Sequence, residues 1–252
     1  FDRVKAIHAA NNNFYNGEIS QRIDANVSKL GGILTYEDLN EFKSKPEDPL
    51  STTFHKYRIH GQGTWSQAAV LLQCLNILEY FDLQSLGHNT PNYIHTVVEA
   101  MKLSMADREA YYGDPDFSDI PVDGLLSKEY SELKSKLIDK DIPSVEMPSH
   151  GDPYIFSSLN GVKPKFIKPI HNPGFLDNQS GTTHIAVQDK QGNIACSTPS
   201  GGSFEKSIFF DDLGFALSTR IEMFNLQAGH PNVINPGKRP RTTLVNYIVE
   251  TQ

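Results

Sequence analysis

Gly181-Thr-Thr-His-Ile-Ala-Val-Gln-Asp-Lys-Gln-Gly-Asn-Ile-Ala-Cys-Ser-Thr198 is the stretch that decides how the chain folds. Residues 182–188 alternate apolar and polar at the period of a strand. Asp189-Lys-Gln-Gly-Asn193 supplies a turn, and residues 194–198 return, so the stretch predicts a β-hairpin. The segment before it, 139–181, has little periodicity and carries Pro143, Pro148, Pro153, Pro164, Pro169 and Pro173. It reads as a long loop or linker, and loops of that length are usually functional or mobile.

Upstream of the linker the pattern is helical. Ile19, Ile23, Val27 and Leu30 predict a helix over 18–30 that stops at Gly31-Gly32. Thr35-Tyr-Glu-Asp38 has the form of a helix start, with a hydroxyl N-cap and an acid three residues on. Residues 51–60 read as one strand bounded by Gly61 and Gly63. Residues 66–81 read as an apolar helix buried on most sides. Pro91 opens the longest helix, on which Ile94, Val98, Met101 and Met105 fall at helical spacing, and the element ends near Tyr112-Gly113-Asp114-Pro115. Residues 244–249 are again strand-like. Helices first, strands later: the pattern is mixed α/β or α+β.

The 252 residues suffice for one large domain or two small ones, and the formal net charge of −7 gives no footprint for nucleic acid or an anionic membrane. No run of eighteen apolar residues marks a membrane span. Cys74 and Cys196 are too few for a disulfide framework, and no metal-ligand spacing is present. The chain starts at Phe1 in mid-pattern without a signal peptide and stops at Gln252 just after a strand-like run. Both ends are expected to be cut from a longer polypeptide.

Gly181-Thr182 has a chemical reading. A threonine hydroxyl is a weak nucleophile and needs an adjacent base. Cutting the chain before Thr182 would turn its own α-amine into that base, with an ordinary pKa of about 7.7–8.0 that suits proton transfer at neutral pH. Such a site needs a loose segment upstream, a small residue before the threonine and a strand after it, and all three are here. Gly-Thr-Thr is also a common way to begin a strand, and spacing alone favours that plainer reading.

Several blocks in order carry a resemblance along nearly the whole chain: Phe14-Tyr-Asn-Gly17, Gly31-Gly-Ile-Leu-Thr-Tyr-Glu-Asp-Leu39, Leu75-Asn-Ile-Leu-Glu79, Ala106-Asp-Arg-Glu-Ala-Tyr-Tyr-Gly-Asp-Pro-Asp-Phe117, residues 182–193, and Pro236-Gly-Lys-Arg-Pro-Arg-Thr-Thr-Leu244. The chain is similar to the γ-glutamyltranspeptidase family of the Ntn-hydrolase superfamily. The resemblance implies a four-layer αββα sandwich, incomplete over these residues. It implies a precursor that cleaves itself between Gly181 and Thr182. Residues 1–181 would then be the end of a helix-rich large subunit and 182–252 the start of a strand-rich small one, with assembly into a larger homo-oligomer open. Thr182 would be the nucleophile that takes up the γ-glutamyl group of a small amide substrate. Ser200 matches a threonine that hydrogen-bonds the nucleophile, and Thr242 and Thr243 match a serine pair that helps hold a carboxylate. No cofactor and no metal are implied.

The chain departs from the family pattern where the substrate amine is bound. The matching acid falls on Met223, with Glu222 one residue away; Arg220 replaces an uncharged Gln, and Gly202 stands where an Asn would touch substrate. A guanidinium favours a carboxylate through paired hydrogen bonds and repels an ammonium. With Thr64-Trp-Ser-Gln67, residues 197–202 and Gly229-His-Pro-Asn232, this resembles a transpeptidase-related branch akin to acylases. A carboxylate-clamping arginine upstream of Phe1 and a Gly-Gly oxyanion pair downstream of Gln252 are implied outside these residues. Losing one oxyanion donor costs about 10²–10³ in rate, so these 252 residues alone are expected to be inactive.

Three functional readings stand side by side: a γ-glutamyl transferase/hydrolase, an acylase that keeps the Thr182 mechanism, and a non-cleaving small-molecule-binding homologue. Cys74 reads as core, His184 as orienting or packing, and Trp65 as packing beneath a turn, with a channel wall as the alternative. Asp107 and Arg108 read as structural pairs tying the long helix to the linker, and Asp211-Asp212 as a solvated turn.

Overall fold

The computed structural model describes residues 2–164, 182–201 and 206–251. Gly181 and Gly202 lie outside them. The helices are α1 (Arg3–Tyr15), α2 (Glu18–Lys29), α3 (Tyr36–Glu41), α4 (Ala68–Leu78), α5 (Leu83–Leu86), α6 (Pro91–Tyr111), α7 (Val122–Leu125) and α8 (Lys128–Ser135). The strands are β1 (Leu50–Phe54), β2 (Tyr57–Gly61), β3 (Ile185–Gln188), β4 (Ile194–Ser197), β5 (Phe209–Phe210), β6 (Phe215–Ala216) and β7 (Tyr247–Thr251). The fold is mixed α+β, with strands in three small antiparallel sheets: β1-β2-β7, β3-β4 and β5-β6.

The chain forms two compact units, Phe1–Pro46 with Gly201–Thr219, and Glu47–Ser200 with Arg220–Gln252. In the first, Ile23 and Val27 of α2 bury against Phe210, with Phe14, Leu34, Leu39 and Phe215 around them. α2 ends as expected: Gly31 has φ 73°, and the Gly31 and Gly32 N–H groups return to Ser28 O (3.1 Å) and Val27 O (2.9 Å). That is the paired closure in which glycine's freedom at positive φ satisfies the last carbonyls. Thr35 and Asp38 form the predicted reciprocal cap of α3. Asp211 and Asp212 lie in an exposed turn, as expected, and Asp212 also ties that turn to α2. It accepts from Arg22 at 2.6 Å and from Asn26 at 3.3 Å on α2.

In the second unit α4 is buried at nine of its eleven positions, as its composition predicts. Cys74 is part of that core, and burial pushes its thiol up to about 12. Helix α6 differs from its apolar spacing. Ile94, Val98 and Met101 are exposed, while Glu99, Ala100, Leu103, Ser104 and Asp107 are buried. The polar face turns inward because Asp107 is wholly desolvated yet fully bonded. Its carboxylate accepts from Gln73 Nε2 (2.5 Å), Tyr130 Oη (2.9 Å), Lys134 Nζ (2.9 Å) and the Gly151 N–H (2.9 Å). A buried carboxylate is tolerated on those terms. The Gly151 bond ties the start of the proline-rich segment to α6, as the sequence suggested, and 153–156 form a 3-10 turn there. The expected single strand over 51–60 is instead a hairpin, β1-β2, that turns at His55-Lys56 with His55 at φ 53°. Turns of that hand are normally marked by Gly, Asn or Asp, so the sequence held no visible break. Among the described residues no helix is long and apolar enough to cross a membrane.

Candidate active site

The β3-β4 hairpin forms where predicted, closed by Gly192 at φ 87° and by Asp189, which accepts from the Gln191 and Asn193 N–H groups. Its first strand begins at Ile185 rather than at residue 182. Thr182 therefore stands at the hairpin's mouth, outside the strand and exposed. Its hydroxyl donates to Ser200 Oγ at 3.3 Å. The Arg220 guanidinium donates to the same Ser200 oxygen at 2.8 Å and to Thr243 Oγ1 at 3.2 Å. Thr182, Ser200, Arg220 and Thr243, from three separate stretches of sequence, thus form one chain of polar contacts.

The other predicted positions divide. Glu222 lies two residues past Arg220 on the 3-10 turn Arg220–Met223, at an exposed position. Thr242 is buried. Its N–H donates to Trp65 O (2.8 Å), and its hydroxyl accepts from the Leu244 N–H (3.2 Å), so it shapes the turn that presents Thr243. His184 Nδ1 lies 2.8 Å from Thr198 Oγ1, which lies 2.5 Å from Asn246 Oδ1. That contact fastens the hairpin to the 245–246 segment, in keeping with an orienting role.

Trp65 carries the packing reading. Its indole N–H donates to Glu47 (2.8 Å), and the Arg239 guanidinium lies 5.1 Å from its ring centre. Arg239 pairs with Glu47 and with Asp114 at 2.6 Å, joining two of the sequence blocks. Burial opposes ionisation of Asp114, but Arg239 outweighs it and holds the carboxyl below its ordinary value.

The segment holding Thr243 is fixed to α6 by residues that sequence reasoning passed over. Arg241 reaches Arg108 O (2.6 Å) and the Glu109 carboxylate (2.8 Å). Burial opposes ionisation of Glu109 too, yet Arg241 and Arg108 together hold its carboxyl low. Buried His230 approaches Glu109 O with Nε2 (2.8 Å) and accepts the Asn232 N–H at Nδ1 (2.9 Å). An Nδ1 that accepts must be unprotonated, so the ring is neutral; burial lowers its pKa, with Arg241 adding to the effect. The contacts to α6 span more than a hundred residues, which no local pattern signals. Among the described residues no group of His, Cys, Asp and Glu is gathered as a metal site.

A mixed α+β chain with a threonine hydroxyl bonded to a second hydroxyl at a hairpin mouth can be compared with known proteins. The γ-glutamyltranspeptidase family model matches residues 6–252. The glutathione hydrolase proenzyme of Escherichia coli is 30% identical over 94% of this chain and 39% of its own length. The solved cephalosporin acylase from Bacillus halodurans is similar at a TM-score of 0.76 and 26% identity, covering 98% of this chain and 40% of that one. The γ-glutamyltranspeptidase structure from Helicobacter pylori matches 55% of this chain and 40% of its own at 34% identity and a TM-score of 0.53. These matches define the class, a protein of the Ntn-hydrolase superfamily. Within that class, the chain belongs to the γ-glutamyltranspeptidase family. It spans about two-fifths of the length of the curated relatives it matches.

Proposed function

We propose that the chain carries the self-cleavage point and nucleophile of an autoprocessing amidohydrolase/acyltransferase whose substrates are γ-glutamyl amides such as glutathione. The observation that carries this reading is the Thr182 hydroxyl donating to Ser200 Oγ, with Arg220 bound to the same oxygen. In the maturation step, Thr182 Oγ1 attacks the Gly181 carbonyl carbon and the amide nitrogen leaves as the free α-amine of Thr182. Water then hydrolyses the ester. The large subunit ends at Gly181, and Thr182 leads the small one. The complete polypeptide would form a four-layer αββα sandwich.

In turnover the α-amine accepts the hydroxyl proton as Oγ1 attacks the substrate amide carbonyl. The departing amine takes that proton, leaving an acyl ester on Thr182. Water or an amino acid's amine then attacks the ester and restores the hydroxyl. Ser200 orients Oγ1 through its hydrogen bond, while Arg220 and Thr243 receive the acyl group's carboxylate, which a guanidinium and a hydroxyl suit. Thr242 sets the turn beneath them, and Glu222, on the same 3-10 turn as Arg220, would serve a substrate ammonium.

Arg220 favours a second reading within the same mechanism. A guanidinium where the family pattern has a neutral amide suits acyl groups with a carboxylate and no ammonium, as in a glutaryl amide. Intact mass and N-terminal sequencing of the full-length protein beside Thr182→Ala test the common core. Two chains, the smaller led by Thr182, are expected from the wild type and one chain from the variant. A wild type that stays whole would sink the nucleophile assignment in favour of a non-cleaving binding protein. γ-Glutamyl anilide against glutaryl anilide then separates the two substrate classes.

A further inference from the structure

Asn232 is wholly buried, and all four of its polar groups are used. Its N–H donates to His230 Nδ1 (2.9 Å), and its carbonyl accepts from the Asn225 N–H (2.8 Å). The two ends of its side chain reach different segments. Nδ2 donates to Met223 O at 2.7 Å, and Oδ1 accepts from the Arg241 N–H at 2.8 Å. Met223 closes the 3-10 turn that begins with Arg220, and Arg241 stands two residues before Thr243. One amide therefore spans the two segments whose side chains meet in the Arg220–Thr243 hydrogen bond.

The amide is itself held from below. Pro231 O accepts from Ser118 Oγ at 3.3 Å and packs so closely on Gly113 that a Cβ there would collide with it. His230 reaches Glu109 O on α6. A residue needed for bulk alone could be leucine. A donor facing one carbonyl and an acceptor facing one N–H, each on a different arm, is a demand that an amide meets.

We propose that Asn232 is a positioning residue that sets the distance between Arg220 and Thr243, and so the site's affinity for the acyl carboxylate, without touching substrate. The proposal rests on the reading of Arg220 and Thr243 as the carboxylate pair. It does not need Thr182 to be a nucleophile.

The test uses the full-length protein in a Thr182→Ala background, so that binding is read apart from turnover. Glutarate and L-glutamate, which share the carboxylate, are titrated into this protein and into Asn232→Asp, Arg220→Met and the double variant. In Asn232→Asp the Arg241 side of the bridge survives, while a carboxylate oxygen faces Met223 O. Losing one buried hydrogen bond of this kind should weaken binding about tenfold. The double variant should bind no worse than Arg220→Met alone, because the two residues act through one element.

Lowering the pH should restore affinity in Asn232→Asp and not in its parent, since a protonated Asp donates to Met223 O as the amide did. Additive losses, no acid recovery, or no binding by the parent of either ligand would each overturn the proposal. If Asn232→Asp does not fold, Asn232→Ser reads the same coupling; failure of both to fold would assign Asn232 to the core alone. Carboxylate binding that couples to Asn232 in a protein whose wild type never cleaves itself would sustain this inference while removing the nucleophile assignment.

Discussion

Two polar clusters of the larger unit use similar groups to opposite ends. Around Asp107, a carboxylate, an ammonium, a phenol and a side-chain amide lie wholly or almost wholly out of water, the half-buried Gly151 N–H completes the set, and both carboxylate oxygens accept two bonds each. Around Ser200, three hydroxyls and a guanidinium meet at partly or fully exposed positions. Saturation and burial leave the first cluster no capacity for a ligand and make it part of what holds α4, α6 and α8 together. Hydroxyls near solvent keep lone pairs and protons to offer, and their loss costs the fold little. The contrast separates polar groups committed to stability from those available for chemistry.

The sharpest way to break the contrast is Asp107→Ala, which strands the buried Lys134 ammonium without its counter-charge. A loss of about 3–5 kcal/mol is expected in denaturant unfolding of the full-length protein. A loss under about 1 kcal/mol would mean the cluster is not the anchor described. Arg239→Ala probes an intermediate case, an ion pair buried on one side. Asp114 has a folded pKa below its unfolded one, so the pair contributes stability above the ordinary carboxylate range and loses it as pH falls through the folded value. The variant should be weaker by about 1.5–3 kcal/mol at neutral pH, and urea midpoints across pH should converge with wild type in acid. A constant gap at every pH would contradict this.

Two exposed threonines sharpen the lower end. Thr35 caps α3, and Thr35→Ala should cost about 1 kcal/mol. Thr182→Ala should shift thermal stability by under about 0.5 kcal/mol, even as it abolishes cleavage. Equal shifts for the pair would show that exposure alone does not distinguish the two roles.

What could be read in the sequence follows the range of the interactions. The Thr35-Asp38 cap, the glycine closure after α2 and the Asp189–Asn193 turn are each set within five residues, the apolar α4 within eleven, and each forms as read. The β1-β2 turn escaped because His55 takes the conformation usually left to smaller turn residues. The inward polar face of α6 escaped because Asp107's partners come from 23 to 44 residues away. The meeting of Thr182 with Ser200, and of Arg220 with Thr243, spans 18 and 23 residues. Motif order, not periodicity, pointed to those positions. Asn232 lay within a quoted block, yet the role of its side chain emerges from two arms that only the fold brings near.

Cys74 has a practical consequence. With its thiol held neutral inside α4 and Cys196 half-buried on β4, these 252 residues carry two alkylation clocks of different speed. Cys196 should take up a maleimide at a rate set by access. Cys74 should react only as often as the packing of α4 opens. The second mass increment then counts openings of α4 around Cys74, with no engineered label.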